Sequence, residues 1–189
     1  MLYRISTSLV FCLLKLFFKF EVEGREAIPR KQPFILASNH VSNLDPPTLA
    51  TACPVKIGFI AKEELFKSRL FSIYLRDVGA IPLKREKSDI KALRTCLKIL
   101  KNKPLLIFPQ GTRGSNFDEL NFGVGFLSRK AAVPIIAARI YGTDEVLPKG
   151  AKGLSFGKIK VIFAKVDNIK EEDSYQDITL KVADKIRSL

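Results

Sequence analysis

The chain contains one histidine, His40, in the stretch NHVSNLD. A neutral imidazole is the side chain best suited to remove a proton near neutral pH, because its unperturbed pKa is about 6.5. It serves as a base only when a second group fixes its tautomer and orientation. Asp45, five residues on, is the nearest acid in sequence. Side chains at that spacing do not meet along a straight helix, where neighbours are three or four apart. A turn that leaves a strand and enters a helix can fold Asp45 back onto His40. The pair would then be the His–Asp half of a triad that lacks a Ser or Cys nucleophile of its own, a part that a substrate hydroxyl can take. The spacing also fits a polar loop histidine followed by a helix N-cap, since Asp before Pro46 and Pro47 is a common cap signal. Taken alone, it favours the cap.

Two further clusters carry groups suited to an anion. In FPQGTRG, residues 108–114, Pro109, Gly111 and Gly114 punctuate a turn after an apolar run. Gly111 permits close backbone approach, Thr112 offers a hydroxyl, and Arg113 offers a planar fork for phosphate. The spacing is not that of a Walker A loop. In GAIPLKRE, residues 79–86, Lys84 and Arg85 follow another apolar run. Together with Arg113 they can form a cationic pocket for a phosphomonoester, although each is also an ordinary surface charge in so basic a chain. A fourth stretch, AAVPIIAARI, reads as a core strand with Pro134 near its start.

The elements that must position these residues alternate. PFILAS, KIGFIA, GAIPLK, PLLIFP, VPIIAARI and KIKVIFAKV read as strands. DPPTLATAC, FKSRLFSIYLRD, EKSDIKALRTCLKILKN, GFLSRKAA and SYQDITLKVADKIRS read as helices, the third with Ile90, Leu93, Leu97 and Leu100 on one stripe. EVEGREAIPRKQ reads as a polar connection. Strands of continuous apolar character separated by helices imply an α/β single domain with a mostly buried central sheet flanked by helices. In such sheets functional groups collect where strands end. The SNHVSNLD, KRE and PQGTRG clusters all sit at such ends.

The first twenty residues, MLYRISTSLVFCLLKLFFKF, form a helix pattern. Arg4, Ser8, Lys15 and Lys19 share a narrow face, opposite a broad one with Leu9, Leu13, Leu16, Phe17 and Phe20. The longest uncharged run, Ile5 to Leu14, has ten residues, whereas a bilayer-spanning helix needs about 20 mostly apolar ones. The expectation is an N-terminal amphipathic membrane-associating helix over residues 1–22, lying in the interface, followed by the catalytic domain over 23–189. A helix packed on its own domain gives the same pattern. The bulky, charged KFEVEGRE that follows does not resemble a signal-peptide cleavage site.

The length of 189 residues suits one domain, and 47% hydrophobic with 27% charged residues marks a globular chain. The net charge of +13 favours anionic partners. No interleaved aromatic and basic motif points to nucleic acid. Cys12, Cys53 and Cys96 lack CxxC spacing, which with one histidine argues against zinc and against a disulfide framework. A reducing compartment follows.

Taken in order, His-x4-Asp, G-x-I-x-x-x-R, F-P-x-G-T-R and V-P-I-I resemble the glycerolipid acyltransferases, and most closely the 1-acyl-sn-glycerol-3-phosphate (lysophosphatidate) acyltransferase type. The matching order spans His40 to Ile136. The resemblance implies His40 as general base and Asp45 as its orienter. It implies Arg85 and Arg113 as ligands of the acceptor phosphate, with Gly111 and Thr112 shaping their loop. Lys84, Gln110 and Asn39 would support the site, and Val133, Pro134 and Ile135 would be structural or line the acyl path. One position departs from the pattern: Gln110 stands where the family has glutamate, which keeps size and hydrogen bonding and loses charge.

The implied reaction is a direct transfer from acyl-CoA or acyl carrier protein, as co-substrate, to the sn-2 hydroxyl of lysophosphatidate, without a covalent acyl-enzyme, bound cofactor or metal. The implied setting is the cytoplasmic face of the cell membrane, with the enzyme peripheral or monotopic on anionic lipid. Two alternatives are a family member with another acceptor, glycerol-3-phosphate or a lysophospholipid, and a non-enzymatic basic membrane-binding module.

Overall fold

The computed structural model describes residues 2–83, 89–111, 123–151 and 153–189. The apolar runs form the middle of one seven-stranded sheet. In chain order the strands are β1 (Glu21–Glu23), β2 (Ile35–Ser38), β3 (Gly58–Lys62), β4 (Ala80–Leu83), β5 (Leu105–Ile107), β6 (Ile135–Tyr141) and β7 (Lys160–Lys165). Their spatial order is β1-β7-β6-β2-β5-β3-β4. Every neighbouring pair is parallel except β6 and β7, so β7 and β1 run against the other five. The helices are α1 (Leu2–Phe18), α2 (Asp45–Ala52), α3 (Arg69–Asp77), α4 (Asp89–Leu100), α5 (Gly123–Ala131), α6 (Thr143–Val146) and α7 (Tyr175–Ser188).

Central strands buried on both faces account for the unbroken apolar runs. Side chains alternate along β2, so Leu36 faces one core and Ile35 and Ala37 the other. The first core joins Leu36, Leu106 and Ile136 to Leu14 and Phe18 of α1 and Leu49 and Ala52 of α2. The second joins Ile35, Leu105 and Ile135 to Cys96 and Leu100 of α4, Val124 and Leu127 of α5, and Ile178, Val182 and Ile186 of α7. The sheet is therefore a covered α/β layer, as the patterning implies.

The N-terminal helix, expected to residue 22, ends at Phe18; Phe20, expected on its lipid-facing apolar side, is fully buried in the first core, and residues 21–23, also read as the start of a polar connection, form β1. The strand is three residues long at the sheet edge, paired Glu21 with Lys160 and Glu23 with Ile162. Its outward carboxylates made it read as loop; the Lys160 ammonium lies 2.8 Å from Glu23. Pairing with the basic end of β7 turns an acidic EVE into a charge-matched edge. The four-residue α6 also had no expectation in the sequence.

Helix α1 packs on α2 by one side, with Leu14 and Phe18 in the sheet's own core. Its Tyr3 hydroxyl donates to the Ala50 carbonyl at 3.3 Å and accepts from the Ile57 N–H at 3.4 Å. Burial pushes that phenol up to about 12. Another side of the helix carries Ile5, Leu9, Leu13, Leu16 and Phe17 into solvent. Among the described residues no helix is long and apolar enough to cross a membrane.

Candidate active site

The strand ends bring the site together because β6, β2 and β5 are parallel neighbours and finish on the same edge. Asn39 follows β2 directly. Its side-chain amide donates to the Ile140 carbonyl at 2.9 Å and its oxygen accepts from the Ile140 N–H at 2.8 Å. The side chain thus extends the β2–β6 pairing by one step, and fixes where the next residue, His40, leaves the sheet.

His40 and Asp45 meet: Nδ1 lies 2.8 Å from Asp45 Oδ2. The same oxygen accepts from the backbone N–H groups of Val41 at 2.7 Å and Ser42 at 2.8 Å. The other, Oδ1, accepts from the Thr143 hydroxyl at 2.6 Å. Asp45 is fully buried, whereas the His40 side chain retains 14% of its exposure. The bond to Asp45 is satisfied when Nδ1 carries the proton, which leaves the lone pair on Nε2. Nε2 has no hydrogen-bond partner among the described residues. The imidazole also stacks on Phe108, centroids 4.0 Å apart and planes at 18°, which restrains the ring face.

The expected helix cap at Asp45 is corrected. The helix begins one residue earlier, with Leu44 as N-cap and Asp45 as its first residue, and no side-chain cap bond forms. The next two positions are Pro46 and Pro47, which have no N–H to offer. The Thr48 N–H is already bonded to the Leu44 carbonyl at 3.0 Å. No forward donor is left for the carboxylate, so it turns back onto the 40–42 turn. The prolines that suggested a cap are what free Asp45 for His40.

Gln110 is 7% exposed, and its Oε1 accepts from the His40 backbone N–H at 2.8 Å. Either an amide or a carboxylate oxygen can do this, which accounts for glutamine at this position without loss of the contact. Gly111 sits at φ 69°, and its N–H bonds to the Phe108 carbonyl at 2.9 Å. That closes the tight turn carrying Gln110 beneath His40, with a backbone conformation that favours glycine. Lys84, Arg85, Thr112 and Arg113, expected at the phosphate, lie outside the described residues. Of the V-P-I-I stretch, Ile135 is buried in the second core and none of Val133, Pro134 and Ile135 lines the cavity beside His40, so these residues are structural.

Three partners had no local signal in the sequence. Thr143 reaches Asp45 across 98 residues, and the Ser42 hydroxyl donates to the Leu147 carbonyl at 2.9 Å across 105. Gly142, at φ 77°, sets Thr143 in place: a Cβ there would stand 1.8 Å from the Lys158 carbonyl oxygen. Only the fall of GTDEV after β6, at the sheet edge that carries His40, hinted at them.

A cavity of about 690 Å³ opens at His40. Its walls come from α1 (Tyr3, Val10), α2 (Pro46, Ala50), β3 (Phe59, Ile60), the turn before α3 (Leu65) and α3 itself (Tyr74, Leu75), with Asn43 and Lys149 as polar lining. It is the size and character of a site for a largely apolar ligand. The buried thiols are not part of it: burial pushes Cys53 and Cys96 up to about 11, leaving both protonated near neutrality. Among the described residues no cluster of His, Cys, Asp and Glu is grouped to hold a metal ion.

Known proteins resemble this chain in sequence and fold. Residues 19–141 match the family model described as Acyltransferase. A chloroplastic 1-acyl-sn-glycerol-3-phosphate acyltransferase of Brassica napus is 30% identical over 79% of this chain and 45% of its own length. A 1-acyl-sn-glycerol-3-phosphate acyltransferase of Bacillus subtilis is 28% identical over 83% of this chain and 81% of its own. This chain thus spans about half the length of the plant relative and most of the bacillar one. The crystal structure of the 1-acyl-sn-glycerophosphate (LPA) acyltransferase PlsC from Thermotoga maritima superposes with a TM-score of 0.75 at 29% identity, covering 89% of this chain and 69% of that one. With the His–Asp pair formed at the sheet edge and the match running from the end of α1 to the end of β6, the chain belongs to the acyltransferase family.

Proposed function

We propose that this chain transfers a fatty acyl group from an acyl thioester, acyl-CoA or acyl carrier protein, to the sn-2 hydroxyl of lysophosphatidate, giving phosphatidate. The observation that carries this is the His40–Asp45 contact of 2.8 Å at the mouth of an apolar cavity of about 690 Å³. The relatives' names, 1-acyl-sn-glycerol-3-phosphate acyltransferase, support the acceptor.

In the proposed reaction His40 Nε2 takes the proton of the acceptor hydroxyl, and the Nδ1–H bond to Asp45 stabilises the imidazolium that forms. The hydroxyl oxygen attacks the thioester carbonyl carbon. The tetrahedral oxyanion collapses, the C–S bond breaks, and the thiol sulfur takes the proton back from Nε2. The ester and the free thiol leave, with no acyl-enzyme. The apolar cavity suits an acyl chain. Arg85 and Arg113 are the proposed ligands of the acceptor phosphate. General base catalysis supplies roughly 10²–10⁴-fold; orientation in the cavity and stabilisation of the oxyanion supply the remainder.

We place the enzyme on the cytoplasmic face of the membrane, peripheral, with the exposed apolar side of α1 in the interface of an anionic bilayer. Arg4, Lys15 and Lys19 border that side, and residues 1–20 contain no acid.

The test is a purified-protein assay with labelled acyl thioester and lysophosphatidate, run beside a panel of glycerol-3-phosphate and lysophospholipids. His40→Ala is expected to lower kcat by roughly 10²–10⁴-fold with an intact fold. Full activity of that variant, or a trapped acyl-serine or acyl-cysteine, would overturn the mechanism. A preference for another acceptor would overturn the substrate while leaving the mechanism in place.

A further inference from the structure

Helix α3 is amphipathic in the wrong sense for a helix on the surface of a water-soluble domain. Leu75 is buried in the cavity wall, yet Leu70, Ile73 and Tyr74, at i, i+3 and i+4, form an outward strip. Leu70 is 83% exposed, and Leu65 in the preceding turn extends the strip. One exposed leucine is unremarkable, but a contiguous strip of large apolar side chains marks an interaction surface.

Two observations identify the partner. The first is charge. The strip from Leu65 to Arg76 holds Lys67, Arg69 and Arg76, with the acids Glu63, Glu64 and Asp77 only at its two ends; α1 holds Arg4 and Lys15, with Lys19 just past its last turn, and no acid. All six cations are exposed. Apolar side chains bordered by cations complement an anionic lipid surface. A second copy of the chain seated on this strip would set like charges against each other.

The second observation is continuity. Helix α3 packs against α1. Leu65 and Tyr74 belong both to the outward strip and to the lining of the catalytic cavity. From the other side, Ser6 and Val10 of α1 line the same cavity next to the exposed Leu9 and Leu13. The cavity therefore lies between two outward apolar strips, one on each helix.

We propose that α3 is a second bilayer-contacting element, which inserts Leu70 and Ile73 beside α1 and seats the cavity mouth against anionic lipid. This rests on the reading that α1 lies in the membrane interface, and extends it to a surface with two supports. One helix fixes depth but leaves the domain free to roll about its axis. Two strips flanking the mouth fix its orientation as well.

The chain has no tryptophan, so single reporters are available. Leu70→Trp in α3, Leu9→Trp in α1 and Leu180→Trp on the far helix α7 would be measured with vesicles of phosphatidylcholine alone and mixed with phosphatidylglycerol. Bromine-labelled lipid would serve as the depth quencher. The expected result is blue-shifted, bromolipid-quenched emission at positions 70 and 9 with the anionic vesicles, and water-exposed emission at 180. The Leu70→Ser/Ile73→Ser double variant is expected to bind those vesicles about tenfold more weakly and to keep its activity on detergent-dispersed substrate. Quenching at 9 with continued aqueous emission at 70 would overturn this inference and leave α1 in the membrane. Absence of quenching at both would overturn the membrane reading itself. Burial of position 70 without vesicles, accompanied by a doubled mass, would give the strip to a second copy and also overturn it. Unchanged vesicle affinity of the double variant would do the same.

Discussion

At the scale of the residue, Asp45 has two tasks that substitutions can separate. Its Oδ2 fixes the imidazole and ties the Val41 and Ser42 N–H groups, while Oδ1 takes the Thr143 hydroxyl. An asparagine that keeps its oxygen at the Oδ2 position still accepts from the turn, and its amide can donate to the Thr143 hydroxyl oxygen. Asp45→Asn is therefore expected to fold and to lose activity by roughly 10²–10⁴-fold, because the charge opposite the imidazolium is gone. Thr143→Val should do the reverse. Removing a donor from a buried carboxylate oxygen costs about 1–3 kcal/mol, visible as a lower urea midpoint, with a much smaller effect on kcat. Equal loss of stability in both variants, or equal loss of activity, would show that the two tasks are not separable. Part of this was legible in the sequence. The residue types and order found His40 and Asp45, but the cap signal assigned Asp45 a different local bond. Where a helix starts is decided by one backbone hydrogen bond, from Thr48 to Leu44, and composition does not reveal it.

Elements were legible in proportion to their length and burial. The amphipathic period of α4 and α7 and the unbroken apolar runs of β2 and β6 appear where expected, since burial imposes those patterns. The three residues of β1 are too few to show a period, and they pair by charge at an edge. The last helix supplies an element-scale prediction. Ser174 caps α7 by accepting from the Asp177 N–H at 3.1 Å, and Asp177 accepts in return from the Ser174 N–H at 2.9 Å. Ser174→Ala is expected to cost about 1 kcal/mol in urea denaturation. The bonds from Ser174 hold the Asp177 carboxyl below the usual carboxylate range, and the Lys181 ammonium does the same to Asp173. A depressed carboxyl lends stability above its unfolded value of about 3.9 and loses it as pH falls through the folded value. The stability gap between wild type and Asp177→Asn should therefore hold at neutral pH and close in acid below about 3.9. A gap independent of pH would leave the cap without its electrostatic part.

For the whole molecule, the sheet separates two environments. Helices α4, α5 and α7 cover one face, and the other carries α1, α2 and the cavity at His40, with α3 beside α1. The wall supplied by Tyr3 and Val10 makes the helix proposed for lipid contact part of the proposed substrate site as well. An enzyme seated this way meets its acceptor in two dimensions. In mixed micelles its rate should follow the mole fraction of lysophosphatidate and fall on dilution with inert detergent at constant bulk concentration. A rate set by bulk concentration alone would place the acceptor's route in water. Electrostatic attraction of the +13 chain to anionic lipid should also weaken as salt rises.

The bonds that hold the reactive pair have a consequence for how the protein is made. His40 and Asp45 lie early in the chain, while Ile140, Thr143 and Leu147, which anchor their turn, lie 98 to 105 residues further along. During synthesis the ribosome delivers His40 and Asp45, the proposed base and its orienter, long before these distant anchors. Contacts so distant in sequence close late, after the loop entropy between them has been overcome. A nascent or truncated chain that stops short of β6 and the turn after it keeps the local Val41 and Ser42 N–H bonds to Asp45 but lacks the Ile140, Thr143 and Leu147 anchors, so the full set of bonds around the pair arrives only with the last third of the polypeptide.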